Sequence, residues 1–216
     1  MTVIGFIGGT GAEGVGLAIR FARVGDRVLI GSRSEERANE AVARIKEQVP
    51  DADAHGVPNF QAAEESEVIF LAVPFEAHSS TLVELEESIG DKVLIDVVVP
   101  MEFGEDGAHL VPVEEGSAAQ QARLLVPRAK VVSGFQHLDA ALLRQASKPL
   151  QGDIIICADH KGAKKTAMDL AEKLEYVRAL DGGGLNNAHY LEACAVLLVN
   201  LNRIHKARSS IRIFGI

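Results

Sequence analysis

Short apolar runs alternate with amphipathic stretches along most of this chain. Val3–Ile7 is apolar and ends in glycines, which marks a buried strand. Leu17, Ala18, Phe21 and Ala22 then recur at helical spacing, predicting a helix over 14–24 and a second strand over 26–30. Ser34 is placed to cap the next helix, and Pro50 marks its end. A weak strand over 54–57, a short helix over 61–65 and a strand over 67–73 follow. Pro74 opens a helix to 89. A strand over 91–98 closes at Pro100, and a loop with few regular signals runs over 99–115. Ser117 caps a helix to 125, and 129–133 reads as a sixth strand.

This alternation with short connections predicts right-handed βαβ crossovers and a mostly parallel sheet covered on both faces. The expected fold is α/β, a Rossmann-type doubly wound sheet with a small C-terminal extension. The pattern changes after Ser133: a strand over 153–158, a helix over 161–176, a short strand over 177–180 and a long helix over 185–207. Residues 1–134 therefore read as a nucleotide-binding domain, and 135–216 as a small substrate-site and dimerisation domain. Apolar residues nearly encircle the last helix between Ala193 and Leu201. Such a helix is buried, either under its own domain or in a homodimer.

Length and composition add bounds. A chain of 216 residues with 47 % hydrophobic and 24 % charged residues can bury a core without disulfides or metals. A net charge of −8 argues against nucleic-acid or anionic-membrane partners, so an anionic ligand needs a local basic site. The N-terminus has no basic n-region or cleavage site, and the late apolar run is too short to span a bilayer. Cys157 and Cys194 form no Cys-x-x-Cys pair and read as reduced residues of a cytoplasmic protein. The histidines show no metal-ligand spacing.

Gly9, Thr10, Gly11, Ala12, Glu13 and Gly14 fit G-x-G-x-x-G, after a strand and at the start of a helix. Gly9 permits the turn, Gly11 lets the backbone approach a pyrophosphate, and Gly14 lets the helix pack on the strand. The helix N-terminus presents free N–H groups to phosphate. An acid that grips a ribose is expected about 20 residues further on. Here the second strand ends in Gly31, Ser32 and Arg33. A hydroxyl and a planar guanidinium suit a 2′-phosphate that a carboxylate would repel, and Arg37 lies one helical turn beyond. The cofactor expected is NADP(H).

Gly8-Gly-Thr-Gly11, Gly31-Ser-Arg33, Ala72-Val-Pro-Phe75, Asp96-Val-Val-Val-Pro100, Gly116-Ser-Ala-Ala119 and Asn202-Arg through Ile211-Arg-Ile213 together resemble the F420-dependent NADP oxidoreductases. The resemblance covers nearly the whole chain. It implies an enzyme, an oxidoreductase, that transfers a hydride directly between NADP(H) and coenzyme F420, a 5-deazaflavin, with a small-molecule redox substrate as partner and a homodimer as assembly. It also implies that Val73, Pro74 and His78 after the fourth strand, Val99 and Pro100 after the fifth, and Ala140 lie along the cofactor. Gln136, His137 and Leu138 fall where the two rings meet. The family usually has His in place of Gln136 and Pro in place of Gly184. An NADPH-dependent reductase with another acceptor (flavin, quinone, imine or metal complex) and an NADP(H)-sensing module stay open as alternatives. Lysines 161, 164 and 165, and the basic residues Arg203, His205, Lys206, Arg208 and Arg212, are candidates for an anionic tail.

Overall fold

The five apolar runs of the first half form five parallel strands. The computed structural model describes residues 1–216. These strands are β1 (Val3–Ile7), β2 (Arg27–Ser32), β3 (Ala54–Pro58), β4 (Val68–Leu71) and β5 (Val93–Asp96), and β8 (Lys130–Ser133) extends the parallel set. Helices α1 (Ala12–Arg23), α2 (Glu35–Gln48), α3 (Asn59–Glu65), α4 (Phe75–Ile89) and α5 (Ala118–Leu125) make the crossovers. Ser34 and Ser117 cap α2 and α5 by accepting from the N–H of Arg37 and Gln120.

The second half adds β9 (Gly152–Ala158) and β10 (Val177–Asp181), with α7 (Lys161–Glu172) between them and α8 (Ala188–His205) after a 3-10 turn at Leu185–Asn187. The sheet runs β3-β2-β1-β4-β5-β8-β9-β10. β9 pairs antiparallel with β8, so the chain reverses direction there, and β10 is again parallel to β9. Two elements lie in regions read as irregular. A hairpin, β6 (Met101–Phe103) with β7 (Ala108–Leu110), occupies the loop after β5. The short α6 (Ala140–Leu143) follows β8.

The larger core layer lies between the sheet and α1, α2 and α7. At its centre Phe70 stacks on Phe6 at 5.2 Å and meets Phe135 edge-on at 5.2 Å, with Phe21 beside both. The other layer packs α4, α5 and the start of α8 on the opposite face. Helix α8 is buried on one side only: Leu191, Ala195, Val196 and Leu198 face inward, while Tyr190, Leu197 and Ile204 are exposed. The buried-all-round expectation therefore holds for one face of the helix within this chain. No helix is long and apolar enough to cross a membrane.

Candidate functional site

The phosphate loop follows from the β1 sequence. The chain turns at Gly8 and Gly9, where Gly9 N donates to the carbonyls of Phe6 and Gly31. Gly11 then sits at the N-cap of α1 with no side chain competing for the first N–H groups. A Cβ at Gly14 would lie 2.8 Å from Gly9 Cα, so helix and turn meet only because Gly14 has none. A Cβ at Gly11 would meet nothing within 4 Å. That open cradle, in front of free helix N–H groups, fits a pyrophosphate.

Two cavities flank this loop. Over the ends of β2 and β3 lies one of about 490 Å³, walled by Ser32, Arg33, Pro58, Asn59 and Phe60 together with Glu35 and Glu84. Ser32 Oγ accepts from Ser34 N at 3.1 Å. Ser32 and Arg33 thus meet at one site, as expected. Arg37 does not line it. It stands exposed on the first turn of α2.

Over the ends of β4, β5 and β8 lies the second cavity, of about 500 Å³. Its walls include Ala72 and Val73, Val97–Val99, Met101, the run Gln136–Ala141, Arg144, and Ala195, Leu198 and Asn202 from α8. Glu13 reaches it from the phosphate loop. Of the residues expected along the cofactor, Glu13, Val73, Val99 and Ala140 reach this cavity, and Leu138, expected where the rings meet, lines it too. Pro74 sits beyond it as the N-cap of α4, not its first turn, and Pro100 is buried beside the β6–β7 hairpin.

Gln136 and His137 both line the cavity, although neighbours on an extended chain point to opposite faces. The chain is not extended there. Phe135 adopts φ 73°, a left-handed conformation that costs about 1–2 kcal/mol for a residue with a Cβ and is held by the aromatic cluster. Gln136 Nε2 donates to Ser133 Oγ at 2.8 Å. His137 Nε2 lies 2.9 Å from the Asp153 carbonyl, and burial holds its pKa below the ordinary 6.5. Gln136 Oε1, His137 Nδ1 and Glu13 Oε1 are all buried without a partner. Unpaired buried polar atoms are costly, so three on one cavity suit a ligand that supplies their partners.

His78 is placed differently from the expectation. It is buried in α4 beneath the sheet, with Nε2 2.8 Å from Asp96 Oδ2 and Nδ1 3.0 Å from Gln121 Oε1. Both ring nitrogens are taken, so it reaches the cavity only through Asp96, whose Oδ1 accepts from Val98 N at 3.0 Å. Burial lowers the His78 pKa, but the Asp96 charge and its hydrogen bonds outweigh that and hold it above 6.5. Glu192 on α8 closes this cluster. Its Oε1 accepts from Ala119 N at the start of α5, and burial, then the Asp96 charge, push its pKa up to about 8.

The far wall is tied by an acid that motif reading did not single out. Asp139 caps α6 through Leu142 N and takes bonds from Asn202 and Arg208. Its signal was the Asp-Ala-Ala-Leu-Leu run, an N-cap before apolar residues. Of the basic candidates only Arg208 reaches the cavity. Lys164 and Lys165 pair with Asp181 and Asp169, and Arg203 donates to the Glu105 carbonyl. Gly184 caps the turn before α8 and lies outside the cavity.

Comparison with known proteins gives this geometry a family. Residues 3–100 match the model for NADP oxidoreductase, coenzyme F420-dependent. The chain is 38 % identical to the F420-dependent NADP reductase of Methanothermobacter thermautotrophicus over 96 % of its length and 92 % of the relative's. Identity to the enzyme of the same description from Methanothermobacter marburgensis is 40 %, covering 96 % and 95 %. A crystal structure of a candidate F420-dependent NADP reductase from Arthrobacter sp. FB24 superimposes over the full length of both chains, with a TM-score of 0.83 at 21 % identity. That likeness supports the fold.

Proposed function

Because the chain belongs to the family of F420-dependent NADP reductases, we propose that it transfers a hydride directly between NADP(H) and coenzyme F420. The observation that carries this reading is the pair of cavities on either side of Gly9–Gly14. One offers Ser32 and Arg33 to a 2′-phosphate. The other offers a volume suited to stacked rings.

The two coenzymes supply ring carbons that carry the hydride when bound. The protein's part is positioning. Gly11 gives backbone access to the phosphates, and Val73, Val99 and Leu138 supply apolar walls that hold rings in register. Gln136 Oε1 and His137 Nδ1 offer acceptors to ring N–H groups. Ala195 and Leu198 add an apolar wall from α8. Gln136, His137 and Leu138 are the residues we assign to the meeting of the rings. Of the other site residues named from the sequence, Gly9–Gly14, Ser32, Arg33, Val73, Val99 and Ala140 serve NADP(H), His78 at one remove, while Arg37, Pro74 and Pro100 stand off the two cavities. Stopped-flow absorbance tests this: NADPH added to F420 and enzyme should bleach the deazaflavin band, and its persistence with NADPH bound would refute the acceptor.

Residues 1–134 act on this reading as the NADP domain and 135–216 as the substrate domain. Reduced Cys157 and Cys194 favour the cytoplasm. The exposed stripe of Tyr190, Leu197 and Ile204, seven residues apart on α8, favours a homodimer, which sedimentation velocity tests.

A further inference from the structure

Glu13 is an unusual residue for its position. It sits on the first turn of α1, beside the cradle for the cofactor's phosphates, where a second negative charge is unwelcome. It is half-buried, it lines the ring cavity, and its Oε1 has no partner in the protein. Its charged surroundings across the cavity are Asp139 at the N-cap of α6, itself held by Arg208 of the C-terminal segment, with Arg144 and His137 also on the walls. Burial first, then the Asp139 charge, push its pKa up to about 8. At neutral pH the group is a carboxylic acid with one donor and one free acceptor.

Such an acid pairs with a primary amide through two hydrogen bonds, O–H to the amide carbonyl and amide N–H to the acid carbonyl. NADP(H) carries one primary amide of this kind, on the nicotinamide ring. With the 2′-phosphate at Ser32 and Arg33 and the pyrophosphate at Gly11, the nicotinamide end points toward the cavity that Glu13 lines. We propose that the Glu13 carboxyl reads the carboxamide of the nicotinamide ring, one hydrogen bond in each direction, and so fixes which way the ring lies in the cavity. The inference rests on the NADP(H) reading above. A carboxylate has no donor to give, and it repels the neighbouring phosphates. The same residue therefore makes NADP(H) binding weaken as pH rises through about 8.

Titration calorimetry with NADP⁺, its 3-acetylpyridine analogue and adenosine 2′,5′-bisphosphate tests this without turnover. The analogue keeps a carbonyl but has no amide N–H, and the bisphosphate has neither ring nor pyrophosphate. Glu13→Leu should weaken NADP⁺ roughly 10-fold, the worth of two ordinary hydrogen bonds, and leave the bisphosphate unchanged. Glu13→Gln, which keeps a donor and an acceptor, should restore NADP⁺ binding and remove the loss of affinity above about pH 8. The analogue should bind more weakly than NADP⁺ to the wild type and lose less on Glu13→Leu. Unchanged NADP⁺ affinity in Glu13→Leu, or an equal loss for the bisphosphate, would overturn the inference alone. Failure of the wild type to bind either 2′-phosphorylated nucleotide would overturn the functional reading beneath it.

Discussion

His78 Nε2 lies 2.8 Å from Asp96 Oδ2, with the two side chains 0 % and 1 % exposed. The pair links α4 to the end of β5, the strand that delivers Val97–Val99 to the cavity. Since the folded-state pKa of His78 is raised, its contribution to stability is fully present below about 6.5, the ordinary value, and is lost as pH rises through the folded value. Urea titrations of wild type and His78→Gln should therefore show their largest difference in mildly acid buffer and a smaller one in alkaline buffer. A difference that grows with pH would contradict the charged pair.

Glu192 should show an acid's form of the same linkage. Between about 4.5 and 8 the folded protein holds a proton on Glu192 that the unfolded chain releases, so this residue makes stability fall as pH rises through that window. Glu192→Gln keeps an acceptor for Ala119 N and removes the titration. It should be close to neutral near pH 4 and stabilising above pH 8, by on the order of 5 kcal/mol. Denaturant midpoints across that range decide it.

Gly11 and Gly14 should fail in opposite ways. Gly14→Ala drives a methyl into the Gly9 backbone and should lower the melting temperature. Gly11→Ala meets no atom of the protein and should melt near the wild type, yet lose NADP⁺ affinity because the methyl occupies the phosphate cradle. Melting curves with and without NADP⁺ separate the two.

Arg33→Glu should weaken NADPH by roughly 10- to 100-fold, the worth of a charge-assisted phosphate contact, while weak NADH binding is held or improved. Fluorescence titration with both nucleotides measures this. Equal losses for the two would mean that Arg33 supports the fold and not the 2′-phosphate.

Arg20 is the most demanding structural side chain. It is buried in α1 and donates to the carbonyls of Leu142, Leu143, Gln145, Ala146 and Lys148. Arg20→Met leaves those carbonyls without their donor and should cost about 3 kcal/mol or more of stability, read from equilibrium denaturation.

Much of the βαβ half is legible in the sequence because each strand is a short apolar run bounded by glycine, proline or a cap. The phosphate loop and Ser32-Arg33 are legible for a different reason: their chemistry is local. What escaped reading is non-local. The α6 turn has four residues and owes its carbonyl partners to Arg20, more than a hundred positions away. The β6–β7 strands have three residues each and are mostly exposed, so no alternation forms. His78 did carry a signal, since it falls on the same inward stripe as Leu82, Leu85 and Ile89. Glu192 shares an inward stripe with Leu191, Ala195 and Val196. Polar residues on such stripes belong to interior networks. The reversal of β9 has no pattern of its own, because a buried strand reads alike in either direction.

Helix α1 carries Gly11 at one end and Arg20 two turns on, a stiff rod about 18 Å long. Through Arg20 it fixes the α6 wall of the ring cavity to the loop that grips the phosphates. Widening that wall by moving its backbone would disturb the dinucleotide grip at the same time. A lineage in search of a new acceptor is therefore steered toward side-chain exchange at Leu138 and Ala141, positions that can drift while the scaffold keeps its hold on NADP(H).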